Sequence, residues 1–457
     1  MKEKLSLLIF VAFVATSPMV QAQAGLKSSQ FGSAIQKTII RETASPRSIS
    51  YVETATDHYF AFSDGSANPM ILNNISTAIS VNDFYISDDT VFFCGSNIAN
   101  RAFLGHFEIN DFFFGTHSYS YTAFNFFSAD NITLIKTFDK MVAFEENGVR
   151  KLAVIGYDQN PEPLVAEVLY NVGTGTVTYT VGQLSGSTEE IYDIALTDHY
   201  VITAGFRYFS NVIARPSIRV YDRSSMFQAG GPQDTVNCLS KYGSQTVSFD
   251  PTQLVMSHLQ GDTFAVATYW RHNNSNNDTG VFVSIQRIAS SGQVAWVNSL
   301  VTTQSFQNGS WQLRGMTAMD YSSHFYLLQS AEVTNVNSNV DLLFTLSPSM
   351  FLLAPYGGTM SMAYTDEPMF MSIDAIANTV GLFSNGYTAS NPLRMLHYFT
   401  TTYSQRCLNH GTQQIYPIDM IVRVSTDAFT VNHNIGITFN NSNAVQSVLG
   451  ENTECTE

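Results

Sequence analysis

At 457 residues, 44% hydrophobic and only 13% charged, the chain has ample apolar material for a large core. Its charged fraction is about half the usual share, so Ser, Thr, Asn, Gln and Tyr must carry the surface. A net charge of −15 and a pI near 5.0 exclude a nucleic-acid binder, which needs a basic footprint, and argue against an anionic membrane surface.

The first 24 residues read as a secretory signal peptide: Lys2 and Lys4, an apolar run from Leu5 to Ala15, then Ala22-Gln23-Ala24 before Gly25. The run is shorter than the roughly 18 residues a membrane-spanning helix needs, and no later stretch reaches that length. The expected mature chain is therefore 25–457, exported to a periplasm or the cell exterior without a transmembrane segment.

Beyond the leader there is almost no helical periodicity. Short runs of Val, Ile, Thr, Phe and Tyr alternate with Gly, Asn, Asp and Ser clusters, the signature of strands and turns. One unit recurs: a strand, a polar turn, then a nearly continuous apolar strand, with turns at Asp57, Asp89, Asp139, Asp198, Asp262, Ser323 and Asn378. Thr56-Asp57-His58-Tyr59 and Thr197-Asp198-His199-Tyr200 repeat a tetrapeptide. Two positions past the turn stand Tyr59, Val91, Met141, Tyr200, Phe264, Phe325 and Val380; four past it stand Ala61, Phe93, Ala143, Ile202, Val266, Leu327 and Leu382. An apolar run without alternation is a strand covered on both faces. In an antiparallel protein that is unusual, and a propeller explains it, because each blade is sandwiched between two neighbours.

Further candidate strands follow most hairpins, among them Phe103–Ile109, Val165–Tyr170, Thr176–Val181, Ser217–Tyr221, Val281–Ile288, Val340–Leu346 and Leu393–Phe399. The expected fold is an all-β, β-propeller of about seven four-stranded blades. Six or eight blades, or tandem β-sandwiches, are the alternatives. The segment Ser33–Ile40 is expected to be a ring-closing strand. Residues 402–457 form a tail or ring-closing segment in which Ile421–Val431, turning at Asp427, is a weak eighth copy.

The pattern resembles the β-propeller architecture of exported, bacterial-type proteins. Arg287–Trp296 looks like the outer hairpin of quinoprotein-type repeats but lacks their Asp and Thr, so no quinone chemistry follows. Phe62-Ser63-Asp64-Gly65 falls short of a sialidase Asp-box.

Chemistry is sparse. The four cysteines, Cys94, Cys238, Cys407 and Cys455, form no CxxC pair, so no structural zinc site is expected. Cys94 reads as core, and Cys407 with Cys455 is the pair open to a disulfide. No metal motif, serine elbow or phosphate cradle is present, and no cofactor is expected. His58 and His199 read as locally capped turn residues. A glycosidase would need two carboxylates about 5–10 Å apart; the candidates are Asp83, Asp193 and Asp374, with Glu53 a fourth. Tyr119 and Tyr121, and Tyr269 and Trp270, are candidate binding aromatics on loops. The expected function is a non-enzymatic binder or scaffold recognising protein or glycan through its loop face. A carbohydrate-active hydrolase is the alternative.

Overall fold

The computed structural model describes residues 25–43, 48–63, 70–171, 176–183, 189–210, 213–227, 234–242, 245–272 and 279–303, and then strands between 310 and 456. Side chains are described chiefly from residue 30 to 294 and from 437 to 449. The protein is nearly all β; among the described residues the one helix is Ile109–Phe114. No described helix is long and apolar enough to cross a membrane.

Consecutive strands pair antiparallel in groups of four. The first is Ile35–Glu42, Ser48–Thr54, His58–Ser63 and Met70–Ile75. The second is Ile79–Ser87, Thr90–Asn97, Ala102–Glu108 and Ser118–Thr122. The third is Ile135–Glu146, Val149–Asp158, Pro163–Asn171 and Thr176–Gln183. The fourth is Glu189–Leu196, Tyr200–Ser210, Ile213–Asp222 and Asp234–Tyr242. The fifth is Gln245–Gln260, Thr263–His272, Thr279–Ile288 and Val294–Thr303. The sixth is Ser310–Met319, His324–Val333, Ser338–Leu346 and Gly358–Tyr364. The last joins Phe370–Ile376, Thr379–Asn385 and Arg394–Thr400 to the N-terminal strand Gly25–Gln30. The first strand of each group lies beside the first strand of the next, and that of the last group beside Ile35–Glu42. The inner strands therefore close into a ring.

The core sits between neighbouring groups. Phe60 and Phe62 meet Val91, Phe93 and Phe107 between the first and second. Phe92 and Cys94 meet Leu152 and Val154 between the second and third. Ala153 and Ile155 meet Ile191 and Val201 between the third and fourth. Ile202 and Ala204 meet Met256, Phe264 and Val266 between the fourth and fifth. Successive residues of one strand thus bury into opposite neighbours, which is why the runs show no polar alternation. Each fully buried Phe, Val or Ile stabilises by about 1.5–3 kcal/mol.

The C-terminal tail encircles these groups in reverse order. Asn409–Thr412 adds a fifth strand to the sixth group, Gln414–Pro417 to the fifth and Asp419–Thr426 to the fourth. Thr430–Asn443 pairs first with Thr176–Gln183 and then with Ser118–Thr122, tying the third group to the second. Val445–Leu449 pairs with Met70–Ile75, and Glu451–Thr456 with Gly25–Gln30.

Several expectations change. The strand that completes the last group is Gly25–Gln30, not Ser33–Ile40, whose later part belongs to the innermost strand of the first group. The tail is no eighth copy: its two strands around residue 427 pair with different groups, and Asp427 itself lies outside the described residues. The third hairpin turns at Asn147-Gly148, with φ of 52° and 74° as a type I′ turn requires, rather than at Asp139. The Asp57 turn joins second and third strands, one step out of phase with the Asp198 turn.

Candidate functional site

The innermost strands carry bulges near their starts. Gln36, Asn82, Asp139 and Tyr192 are the extra residues in the first four groups, and Arg314 in the sixth. A bulge re-aims its side chain and breaks the ladder locally. In three groups a glycine on the second strand makes room for it. A Cβ on Gly95, Gly156 or Gly205 would run into the carbonyl oxygen of Ser80, Thr137 or Glu190 respectively, far inside van der Waals contact.

The bulged Asn82 reaches across both boundaries of its group. Lys37 Nζ donates to Asn82 Oδ1 at 2.6 Å, and Asn82 Nδ2 donates to Thr137 Oγ1 at 2.7 Å and to the Phe138 carbonyl at 3.1 Å. Thr137 Oγ1 in turn donates to Asp139 Oδ1 at 2.8 Å. Burial raises the Asp139 carboxyl above its ordinary pKa, against the Thr137 hydrogen bond and three nearby lysines. Burial also lowers the Lys37 ammonium, with Glu53 foremost among the opposing charges.

The position after the bulge is Asp83 in the second group and Asp193 in the fourth. Asp83 Oδ1 pairs with Arg41 Nη2 at 2.9 Å, and its Oδ2 accepts the Met141 N–H at 3.1 Å. Asp193 Oδ1 pairs with Lys140 Nζ at 3.2 Å, and its Oδ2 accepts the Met256 N–H at 2.7 Å. Each carboxylate joins the inner strand before it to the one after it, and the Asp193 charge raises the Lys140 pKa.

Beside Asp193, Tyr192 and Tyr208 both donate to Glu190 Oε2, the latter at 3.1 Å, and Tyr157 donates to the Ile191 carbonyl at 3.2 Å. Burial foremost pushes Tyr157 up to about 12 and holds Tyr192 well above the usual phenol range, so these hydroxyls stay protonated donors. Asn82, Thr137, Asp139, Tyr157, Glu190, Tyr192 and Tyr208 make a half-buried polar arc over three consecutive groups. Its chemistry is hydrogen bonding, with its flanking Asp83 and Asp193 charges matched by cations.

The remaining predicted residues fall elsewhere. Glu53 stands on the second strand of its group, not the innermost, and accepts from Tyr51 Oη at 3.0 Å and Ser80 Oγ at 2.7 Å. Asp374 stands in the innermost strand of the last group opposite Gly381; its side chain lies outside the described residues. Tyr119 is a core residue on the strand Ser118–Thr122, not a loop aromatic: it is 2% exposed and its hydroxyl accepts the Ser76 N–H. Tyr121 is half-buried against Phe124 on that strand. Tyr269 and Trp270 lie within the strand Thr263–His272 rather than a loop, and their side chains are outside the described residues. Cys407 is outside them too, while Cys455 stands in strand Glu451–Thr456 opposite Leu26.

His58 is no locally capped turn residue: it is buried on a strand, and its Nδ1 donates to the Ile79 carbonyl at 2.6 Å. His199 pairs through Nδ1 with Asp262 Oδ2 of the next group at 2.9 Å. Among the described residues no group of three or more His, Cys, Asp or Glu side chains could hold a metal ion. The arc has no local pattern in the sequence, because its residues stand at bulges and come from three groups; Gly95, Gly156 and Gly205, each within a β run, were the available signal.

No family model matches the chain, and no curated protein matches it. Among solved structures it is similar to Drosophila semaphorin 2a, at 10% identity, covering 82% of this chain and 75% of that one with a TM-score of 0.45. It is also similar to the polysaccharide lyase Uly1, at 9% identity, covering 81% and 89% with a TM-score of 0.35. Both likenesses are loose, and neither transfers an activity or a partner.

Proposed function

We propose that the chain is an exported, seven-bladed β-propeller that binds protein or glycan without catalysing a reaction, through the face where its innermost strands begin. The leader pattern over residues 1–24 supports export. The closed run of inner strands and the cores between neighbouring groups support the propeller reading.

The observation that carries the non-enzymatic reading is the commitment of Asp83 and Asp193. Both oxygens of each are taken, one by a cation and one by a backbone N–H of the following inner strand. A general acid or nucleophile needs a carboxyl free to meet its substrate. The polar arc beside them presents phenol oxygens that can still accept a hydrogen bond, which suits the hydroxyls of a sugar or the N–H groups of a peptide.

The test is affinity electrophoresis of the mature chain through gels containing neutral or acidic polysaccharides, with capture on immobilised cell-surface protein in parallel. Retardation or capture that weakens in Tyr208→Phe and Asn82→Ala, with folding intact, is the expected result. Binding by neither route, or binding indifferent to both substitutions, would overturn the assignment to this face.

A further inference from the structure

We propose that the outer edge of the strand Val445–Leu449 docks an extended, alternately apolar segment of another protein with Lys or Arg at its ends. That segment joins the first group as a sixth strand. The surface lies on the rim, and its use is independent of what the inner-strand face binds.

Val445–Leu449 is the outermost strand of a five-stranded sheet; one edge pairs with Met70–Ile75, and no described strand pairs with the other. An outermost strand presents a row of backbone N–H and C=O groups to any strand that can approach. Natural edges are protected by charge, proline, bulges or brevity, and each of the other tail strands shows one of these. Asn409–Thr412 and Gln414–Pro417 have four residues each, the second ending in proline. Asp419–Thr426 carries Asp419 and Arg423, and Glu451–Thr456 carries Glu451 and Glu454. Thr430–Asn443 is bulged against the third group. Val445-Gln446-Ser447-Val448-Leu449 has no charge, proline or bulge.

Exposed apolar side chains gather at that same edge. Val445 is 73% exposed, and Val448 and Phe114 are each 68% exposed. The Phe114 ring packs 5.8 Å from that of Phe62; Phe62 stands opposite Ile71, and Ile71 opposite Val448. Directly opposite residues share a face, so Phe114 and Val448 flank one face of the sheet at its rim. Gln446, on that face, donates from Nε2 to the Phe113 carbonyl at 2.8 Å and fixes the helix Ile109–Phe114 beside the strand. Val445 and Leu449 lie on the other face. An incoming strand therefore meets backbone groups along the edge and an apolar ledge beside it. In that mode of recognition main-chain hydrogen bonds give affinity and alternate side chains give specificity.

Charge selects the occupant. The elements framing the edge carry Asp111 on the helix and Glu108 just before it, both exposed, and Glu451 and Glu454 on the strand that follows. Met70–Ile75 carries no charge, and no Lys or Arg occurs in the sequence after Arg423. A segment ending in Lys or Arg complements these carboxylates. A second copy does not, because two chains of net charge −15 repel.

The test is a fluorescence-anisotropy titration of the mature chain with labelled heptapeptides Lys-x-Thr-x-Thr-x-Lys, x being Val, Ile, Leu or Phe. The same peptides are made with Glu in place of Lys, and with every second amide N-methylated in each of the two phases. Saturable binding of Lys-ended peptides is expected, weakened about tenfold by Val448→Lys and lost in one phase of N-methylation. Both Val448 and Phe114 are exposed, so Val448→Lys and Phe114→Ser should keep the wild-type melting temperature. Binding of no Lys-ended peptide, equal binding of Glu-ended ones, or binding indifferent to both substitutions would overturn the proposal. A dimer in sedimentation velocity that Val448→Lys dissociates would also overturn it, by giving the edge to a second copy.

Discussion

Asp193 Oδ2 accepts the backbone N–H of Met256 at 2.7 Å, so a side chain of the fourth group completes the hydrogen bonding of the fifth. Its other oxygen holds Lys140 of the third group. Asp193→Asn keeps the shape but removes the charge. It should cost about 2–3 kcal/mol, since a buried charge-assisted hydrogen bond is weakened and Lys140 loses its counter-charge. Urea unfolding of Asp193→Asn, Lys140→Met and the double variant should show coupling above about 0.5 kcal/mol. Additive effects would contradict the bridge.

Gly156 and Gly148 should respond differently to alanine. At Gly156 the methyl would strike the Thr137 carbonyl, so the Asp139 bulge must shift, costing about 2–4 kcal/mol. At Gly148 nothing lies within 4 Å, and only its φ of +74° is at issue. The cost there should be about 1 kcal/mol. Equal losses in denaturant midpoint would refute the close-approach argument.

Burial, then the Arg150 charge, lowers His106 from 6.5 to about 4. Below pH 6.5 the unfolded chain takes up a proton that the folded chain refuses until about pH 4. The stability from keeping His106 neutral is therefore full above pH 6.5 and lost as the pH falls toward 4, on the order of 1–3 kcal/mol for a partly exposed ring. His106→Gln should flatten the fall in urea midpoint over that window. The His199–Asp262 pair acts in the opposite sense for the histidine: the Asp262 hydrogen bond raises His199, so its contribution fades as pH rises through that raised value. His199 is exposed, and its replacement should leave the acid slope nearly unchanged.

Glu189 and Arg219 form a buried pair in the fourth group, joined through both guanidinium Nε and Nη2, with Ser217 Oγ donating to Glu189 at 3.0 Å. Arg219 is 1% exposed. Arg219→Met alone should cost about 3–5 kcal/mol by stranding the carboxylate, whereas replacing both residues by apolar ones of similar volume should cost far less. Thermal unfolding of the single and double variants checks the contrast.

The second strand of the second group was legible because both faces are covered: Val91–Cys94 buries every residue, and the uninterrupted apolar run records that. Leu152–Ile155 is buried throughout as well, but the third unit was read at Met141–Phe144, which stands on the innermost strand instead. The phase of the first group was not legible, because Asp57 and Asp198 sit in the same tetrapeptide although the turns join different strand pairs. The tail strands were hidden for another reason. Asn409–Thr412 and Gln414–Pro417 are too short to show a period, and Asn443 pairs with Ser118 across more than 300 residues of sequence. Asp83 and Asp193 were visible as inner-strand acids. Their partners Arg41, Lys140, Met141 and Met256 come from neighbouring groups, which no local pattern reveals.

The most direct test of whether the inner-strand carboxylates hold the ring or perform chemistry joins two readouts on the same proteins. Wild-type chain, Asp83→Asn and Asp193→Asn are each assayed for thermal stability and for release of new chain ends from a polysaccharide panel. Lower melting temperatures in both variants, with no release by any protein, is the predicted result. Release by the wild type that vanishes in the variants at an unchanged melting temperature would contradict it.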